Sequence, residues 1–388
     1  MAPPIRILRV IARMNVGGPA RQMIELSRGM QKYGFETILA TGEPAEWEGD
    51  LRPEAQAHGI EVITIPGLSS RVKLVSDGRA FVSLVSLMKR LRPQLLHTHT
   101  AKAGALGRLA ARAAGVKPRV HTFHGTVFDH YFSAAASKWI IHIEKRLAKT
   151  TDRIVAVSHA VADELDRIGL PQEKIRVIEP VIDLEPFLSI QSRNIPFRTE
   201  CGAGDGDILI GWIGRFVKIK DPLAFIEAAS IAAADRNHLR FVMIGGGPLQ
   251  DEMQQKAQRL KIDGRIVFLP FQPRMAEAYA GLDLLVSTSQ KEGMPVAVLE
   301  AMAAAVPVVA TAVGGTVELI ADERSGFLVA PGEPRAAARA IERFLEMPAG
   351  ESKTLRGVAR VRARERFGLA RGLERHAQMY QEILQKDR

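Results

Sequence analysis

The sequence predicts an α/β protein made of two doubly wound, Rossmann-like domains, and three observations carry that prediction. Short apolar runs of strand length alternate with amphipathic helical stretches along the whole chain, the pattern of parallel sheets joined by right-handed helical crossovers. The length of 388 residues exceeds one ordinary core and suits two. Between two such alternating series lies Leu184–Asp205, polar and irregular, with Pro186, Pro196, Gly202 and Gly204, which reads as a linker. The expected domains are 1–188 and 189–368, followed by a terminal helical segment, 369–388.

In the first half, Ile5–Ala12 suits a buried strand, and Gly17-Gly18 then precedes an amphipathic helix reaching about Tyr33, with Met23, Leu26 and Met30 on one face. A strand, a Gly-Gly turn and a helix start together form an anion cradle, because bare peptide N–H groups and the helix dipole both favour negative charge. Phe35–Thr41 and Ile60–Ile65 are expected strands, Asp77–Leu91 a helix stopped by Arg92-Pro93, Leu95–Thr98 a strand and Ala101–Gly115 a helix. Arg119–Phe123 is a strand, Ser133–Thr150 a helix, Arg153–Val157 a strand, and Ser158 suits the cap of the helix that follows. Ligands of parallel sheets bind at the carboxyl ends of strands. His99 and His124, just past two strand ends, are therefore the candidate site histidines, with His99 nearer an acceptor, while His97 and His121 lie within strands and suit packing.

The second half opens with the strand Ile208–Ile213. The basic loop Gly214-Arg215-Phe-Val-Lys218-Ile-Lys220-Asp221-Pro222 then suits a phosphate, with Lys218 a solvated member. Leu239–Ile244 runs into Gly245-Gly246-Gly247-Pro248, either a tight connection or a nucleotide contact. Arg265–Leu269 is followed by Pro270-Phe271-Gln272, and Leu282–Ser287 is the next strand. It leads into the most informative stretch, Ser287–Glu318, in which Glu292 opens the turn Glu292-Gly293-Met294-Pro295, with Pro295 suited to the first helical position. Glu300 falls inside Val296–Ala305, a helix apolar on every side and so expected to be buried, where an unpaired carboxylate would cost several kcal/mol. Val306–Thr311 suits a parallel strand, Gly314-Gly315 a turn, and helices follow from Glu333, the last over Leu369–Leu384.

Composition narrows the function classes. Hydrophobic residues make up 46% and charged residues 25%, as in soluble globular proteins. The single cysteine, Cys201, excludes an internal disulfide framework and fits a reducing compartment. No run of 18 apolar residues occurs, and the amino-terminal apolar run is too short and too charged for a signal peptide. The cytoplasm is the expected location, with peripheral contact at the cytoplasmic membrane face. The net charge of +10 is uneven: residues 1–188 carry 26 Lys+Arg against 19 Asp+Glu, and residues 189–388 carry 27 against 24. A basic half attracts nucleic acid, anionic lipid or an anionic substrate. With 6% aromatics, no zinc-ligand spacing and no RNA-binding aromatic motif, nucleic acid is not an expected partner.

Glu292 and Glu300, separated by seven residues around Gly-Met-Pro and followed by Pro-Val-Val-Ala-Thr, resemble the signature of the retaining glycosyltransferases of family 4, which have the GT-B fold: two Rossmann-like domains facing across a cleft, with a terminal helix crossing back to the first. The resemblance covers essentially the whole chain. It implies that Glu292 orients the donor sugar and that Glu300 accepts the ribose hydroxyls of its nucleotide. Gly293, Met294 and Pro295 line the same site. By the same resemblance Gly17 and Gly18 lie against the donor diphosphate, Arg215 and Lys220 neutralise it as it leaves, His124 reaches the sugar near its hydroxymethyl group, and Phe271 passes the nucleobase. Gly245 and Gly246 are further nucleotide candidates. Glu179-Pro-Val-Ile-Asp183 departs from the usual Pro-Asn-Gly-Val-Asp, and Pro222 stands where glycine is usual.

The implied activity is transfer of a hexosyl or N-acetylhexosaminyl unit from a nucleotide-diphosphate sugar, UDP-linked by expectation, to a hydroxyl of a carbohydrate or lipid-linked acceptor. No cofactor and no metal-holding Asp-x-Asp element are expected in the reaction. A sugar-nucleotide epimerase of the same fold shares the ligand but not the glutamate pair. A basic nucleic-acid- or membrane-surface-binding protein without enzymatic activity would show steep salt dependence and no response of its melting to UDP.

Overall fold

Apolar runs too short for helices become strands, and every strand pairing is parallel. The structure is a computed structural model describing residues 3–69, 73–125, 134–272, 274–321 and 323–386. It divides into two units, Met1–Ile182 with Leu369–Arg388, and Asp183–Gly368.

The sheet of the first unit contains β1 (Ile5–Arg13), β2 (Phe35–Gly42), β3 (Glu61–Thr64), β4 (Leu95–His99), β5 (Arg119–Phe123), β6 (Arg153–Ala156) and β7 (Ile175–Val177), in the order β3-β2-β1-β4-β5-β6-β7. The second unit contains β8 (Ile208–Arg215), β9 (Leu239–Gly246), β10 (Ile266–Leu269), β11 (Leu284–Ser287), β12 (Val308–Thr311) and β13 (Phe327–Val329), in the order β10-β9-β8-β11-β12-β13. Both orders turn back on themselves once, between β1 and β4 and between β8 and β11, as in dinucleotide-binding doubly wound sheets. Both faces of the central strands are covered: Ile7, Leu8 and Val10 in β1 are fully buried.

Each unit has its own core. In the second, Trp212, Phe216, Phe225, Phe241 and Met243 pack with Ile341 and Phe344 of the helix Pro334–Leu345. In the first, the terminal helix Leu369–Lys386 buries Leu373, Ala377, Tyr380 and Ile383, spaced for one helical face, against Ile7, Leu26, Met30 and Phe35. Tyr380 meets Phe35 edge-on at 5.5 Å between ring centroids. The departure Glu179 has a use here, since its carboxylate pairs with Arg375 of that helix while Arg375 also donates to the Val177 carbonyl. Among the described residues no helix is long and apolar enough to cross a membrane.

Several local expectations change. The supposed linker contains the helices Glu185–Leu188 and Ile195–Glu200. Pro186 and Pro196 sit in their first turns, where proline's missing N–H costs no bond, and the Asn194 side chain caps the second by accepting from the Phe197 N–H at 3.2 Å. Phe187 packs edge-on against Tyr279 at 5.4 Å, so the chain joins the second unit at Asp183 and not after residue 188. Pro295 is the extended residue capping the helix Val296–Ala303, not its first member, and His99 is the last residue of β4. Ser158 caps the helix His159–Arg167 as read, accepting from Val161 N–H at 3.2 Å. Ser133, the expected first residue of the helix reaching Thr150, lies outside the described residues.

Candidate active site

In a parallel sheet all strands end on one edge. The second sheet therefore brings together there Arg215 at the end of β8, Gly246 at the end of β9, Phe271 beyond β10, Glu292 beyond β11 and Gly314-Gly315 beyond β12. The order reverses between β8 and β11, where successive crossovers part and leave a crevice for a ligand. Arg215, Lys220 and Glu292 follow those two strands.

Glu292 is held firmly. Its side chain is only 9% exposed, Lys220 Nζ pairs with Oε1, and Ser289 Oγ donates to the same oxygen at 2.7 Å. The turn Lys218–Lys220 and the segment Thr288–Gln290 are clamped to each other through Asp221, a non-glycine residue at φ 46°. Thr288 Oγ1 donates to the Asp221 carbonyl at 2.7 Å, Trp212 Nε1 donates to Thr288 Oγ1 at 3.1 Å, and Gln290 donates from its side chain to Asp221 Oδ2 and from its backbone to the Ile219 carbonyl at 2.8 Å. Asp221 in turn caps the helix Pro222–Ala232 through Ala224 N–H. On the other side Gly314, at φ +47°, lies so close that a Cβ there would stand 1.8 Å from the Glu292 carbonyl oxygen, and Gly315 donates to the Gly293 carbonyl at 3.1 Å.

Glu300 is 7% exposed in the helix Val296–Ala303. The Tyr279 hydroxyl lies 2.9 Å from its Oε2 and 3.0 Å from the Ala297 carbonyl, so its single proton serves one of these two acceptors. Met294 is buried and Gly293 and Pro295 with it, whereas Phe271 is half-buried. Among the described residues the half-buried Arg215 guanidinium has no hydrogen-bond or ion-pair partner, while Lys218 is exposed as expected. Gly245 has a packing reason of its own: a Cβ would come within 1.9 Å of the Gly214 carbonyl oxygen on the paired β8, and the Gly246 carbonyl accepts from Phe216 N–H at 2.8 Å.

In the first unit Gly17 and Gly18 follow β1 and open the helix Gly18–Met30. Gly17 has extended backbone, and a Cβ there would meet only Asn15 Nδ2, at 3.6 Å, so the chain itself does not require glycine at this point. His124 directly follows β5, is half-buried, and places Nε2 3.1 Å from Nδ1 of His99. His99 is fully buried, which removes it from the acceptor contact expected of it. His97, also fully buried, bonds Thr122 Oγ1 at 2.7 Å, Tyr380 OH at 2.6 Å and Arg9 Nη1 at 2.9 Å. Burial pushes His124 down to about 4 and His376 down to about 3. It holds His97, His99 and His121 well below the ordinary histidine range too, helped by Arg9 beside His97, by His97 beside His99 and by Arg108 beside His121.

Sequence reasoning missed Tyr279, Ser289 and Tyr380. Ser289 stood inside the informative stretch and could have been weighed as a partner three residues from Glu292. Tyr279 and Tyr380 carried no local signal, since only the fold brings them to Glu300 and His97. One Asp-x-Asp spacing does occur, Asp205-Gly206-Asp207, but it precedes β8, at the opposite end of the strand from Arg215. Asp207 there accepts from Gly204 N–H at 2.9 Å and lies 3.7 Å from Arg240. Among the described residues no group of three or more His, Cys, Asp or Glu is arranged to hold a metal ion.

Comparison with known proteins places this geometry. The model of Glycosyltransferase Family 4 matches residues 16–186, and that of Glycosyl transferases group 1 matches residues 196–362. EpsD of Bacillus subtilis (strain 168), named as a glycosyltransferase, is 30% identical over 302 residues, covering 76% of this chain and 77% of its own. The chain belongs to the family 4 glycosyltransferases. This glycosyltransferase is also 29% identical, over 70% of its length and 71% of the relative's, to the UDP-Gal:alpha-D-GlcNAc-diphosphoundecaprenol alpha-1,3-galactosyltransferase of Escherichia coli. In fold it is similar to Anabaena Alr3699/HepE, solved in complex with UDP and glucose, with a TM-score of 0.84 and 21% identity over 98% of this chain and 100% of that one. The enzyme thus has the two-unit GT-B α/β fold.

Proposed function

We propose that the enzyme transfers a hexosyl or N-acetylhexosaminyl unit from a UDP sugar to a hydroxyl of a carbohydrate or lipid-linked acceptor in glycan synthesis, with retention at the anomeric carbon and without a metal. The observation that carries the proposal is the pair of glutamates eight residues apart, both nearly buried and both held by named partners at the reversal point of the second sheet. In this reading Glu300, steadied by Tyr279, accepts the ribose hydroxyls, a use for which a carboxylate has lone pairs to spare. Glu292 orients the sugar. Lys220, which neutralises Glu292 in the protein alone, and the unpartnered Arg215 receive the charge developing on the departing diphosphate, together with the amides of Gly17 and Gly18. Gly245, Gly246, Gly293, Met294, Pro295 and Phe271 border the nucleotide, and His124 reaches the sugar near its hydroxymethyl group, through its backbone carbonyl or its ring. The leaving phosphate takes the acceptor's proton on the same face.

Support for UDP and for a lipid-linked acceptor comes from the activity for which the Escherichia coli relative is named, transfer of galactose from UDP-Gal to a diphosphoundecaprenol-linked GlcNAc. The helix Ala134–Lys149 supports contact with an anionic membrane face: Glu144, Leu147 and Ala148 turn inward, while Trp139 is 69% exposed and Lys138, Lys145, Arg146 and Lys149 are exposed with it. The decisive experiment is a thermal-shift panel of nucleotides and nucleotide sugars followed by mass spectrometry of the products. Stabilisation by UDP and UDP sugars and a product one hexose heavier are expected; no response to any nucleotide would remove the proposal.

A further inference from the structure

The first unit contains a buried polar chain that the donor reading does not use. Arg9, fully buried in β1, donates from Nη1 to His97 Nδ1 at 2.9 Å and to Tyr380 OH at 3.0 Å. A guanidinium can only donate, so His97 Nδ1 must be an acceptor and the ring's proton sits on Nε2, 2.7 Å from Thr122 Oγ1. His97 is therefore fixed in one tautomer by its neighbours. The ring of His99 lies against it, centroids 4.1 Å apart, and His99 offers its remaining polar atom, Nδ1, to His124 Nε2 at 3.1 Å.

The proton in that last contact has two possible positions, and burial distinguishes them. His99 Nε2 is buried with no hydrogen-bond partner. If His124 donated, the proton of His99 would have to sit on Nε2 as an orphaned buried N–H, which costs about 1–3 kcal/mol and is rare in native proteins. If His99 donates from Nδ1, only a bare ring lone pair is left inside. We propose that His99 is a positioning residue, which donates from Nδ1 to His124 Nε2 and so fixes His124 as the tautomer with its proton on Nδ1, a neutral N–H donor for the transferred sugar. The assignment of the sugar contact to His124 rests on the reading above; the tautomer does not.

The test uses the full-length protein with labelled histidine nitrogens. Nitrogen NMR at pH 7.5, with His124 assigned by comparison with the H124A variant, should show a protonated Nδ1 and an unprotonated, hydrogen-bonded Nε2. A proton on Nε2 of His124 overturns the proposal. In parallel, UDP release from UDP-glucose is measured for H99L and H99Q. H99L should lower kcat about tenfold or more with KM nearly unchanged, and H99Q, whose amide can still donate, should recover most of that loss. Equal kcat in H99L and the native enzyme overturns the positioning role. Should H124A release UDP at the native rate while the native tautomer is as stated, the sugar contact fails and the tautomer assignment stands.

Discussion

At the scale of single residues, the two glutamates owe their character to what surrounds them. Glu292 accepts through Oε1 from both an ammonium and a hydroxyl, which hold its side chain in place before any donor arrives. Glu292→Ala should lower transfer by about 100-fold or more, in line with removal of one well-placed group, while UDP affinity measured by calorimetry stays within a few-fold; full activity in this variant would strike Glu292 from the mechanism. Tyr279→Phe removes the hydroxyl beside Glu300, and a hydrogen bond to a charged group is worth about 1.5–3 kcal/mol, so UDP should bind about tenfold more weakly. An unchanged Kd would separate Tyr279 from the nucleotide. Arg108 and Glu144, fully and almost fully buried, pair at 2.7 and 2.9 Å between the helices Ala101–Ala114 and Ala134–Lys149. Glu144→Gln leaves the guanidinium charge uncompensated and should cost about 3–5 kcal/mol, a fall in melting temperature of roughly 10 °C. Recovery in the Arg108→Met/Glu144→Leu double variant would show that the unpaired charge, not lost packing, causes the fall.

At the scale of elements, the site is a set of three loops stitched by backbone contacts. The 218–221 turn, the 288–293 loop and the Gly314-Gly315 turn follow β8, β11 and β12, neighbours in the sheet, and each makes a hydrogen bond to another. Gly314 is where this stitching leaves least room, since a Cβ would stand 1.8 Å from the Glu292 carbonyl oxygen at a φ of +47°. Gly314→Ala should therefore displace the Glu292 loop and abolish detectable transfer while circular dichroism keeps the native helix and strand content. Native activity in that variant would mean the loop yields more easily than the contact implies. Gly17, by contrast, has no such neighbour, and any loss on Gly17→Ala should appear in donor binding and leave the melting temperature unchanged.

At the scale of the whole molecule, acid is the predicted weakness of the first unit. His97, His99, His121, His124 and His376 all resist protonation in the folded state; Arg9, Arg108, Arg375 and Tyr380 are the charged and titratable groups around them. The pKa values of these five histidines are depressed by folding, so the unfolded chain binds protons that the native state refuses. Stability is complete above the unfolded value of 6.5 and falls as pH drops toward about 4 for His124 and about 3 for His376. The slope is about 1.4 kcal/mol per pH unit for each histidine in its window. Melting should drop steeply from pH 7 to pH 5 and be flat from pH 7 to pH 8.5; a flat profile across the acid range would show that these rings are wet. The terminal helix belongs to the same unit, and deleting 369–388 would expose Ile7, Leu26, Met30 and Phe35 and remove Tyr380 from His97.

Much of this was legible along the chain because parallel α/β folds write themselves locally. Apolar runs such as Leu284-Leu285-Val286 and Val308-Val309-Ala310 are buried, so hydrophobicity alone marks them, and the seven-residue interval between Glu292 and Glu300 survives any arrangement of the rest. The prolines at 186 and 196 misled because proline breaks a helix in its interior but suits its first turn. What the sequence by itself determined was the order of elements, the two-domain α/β class and the pair of acids with the cations and glycines near them. The tertiary structure alone decided who touches whom: Lys220 with Glu292, Tyr279 with Glu300, Glu179 with Arg375, and Tyr380 with His97 across 283 residues. The physical reason is that periodicity and burial are properties of neighbours in sequence, whereas a hydrogen bond between distant side chains depends on strand order and register, which no local pattern encodes.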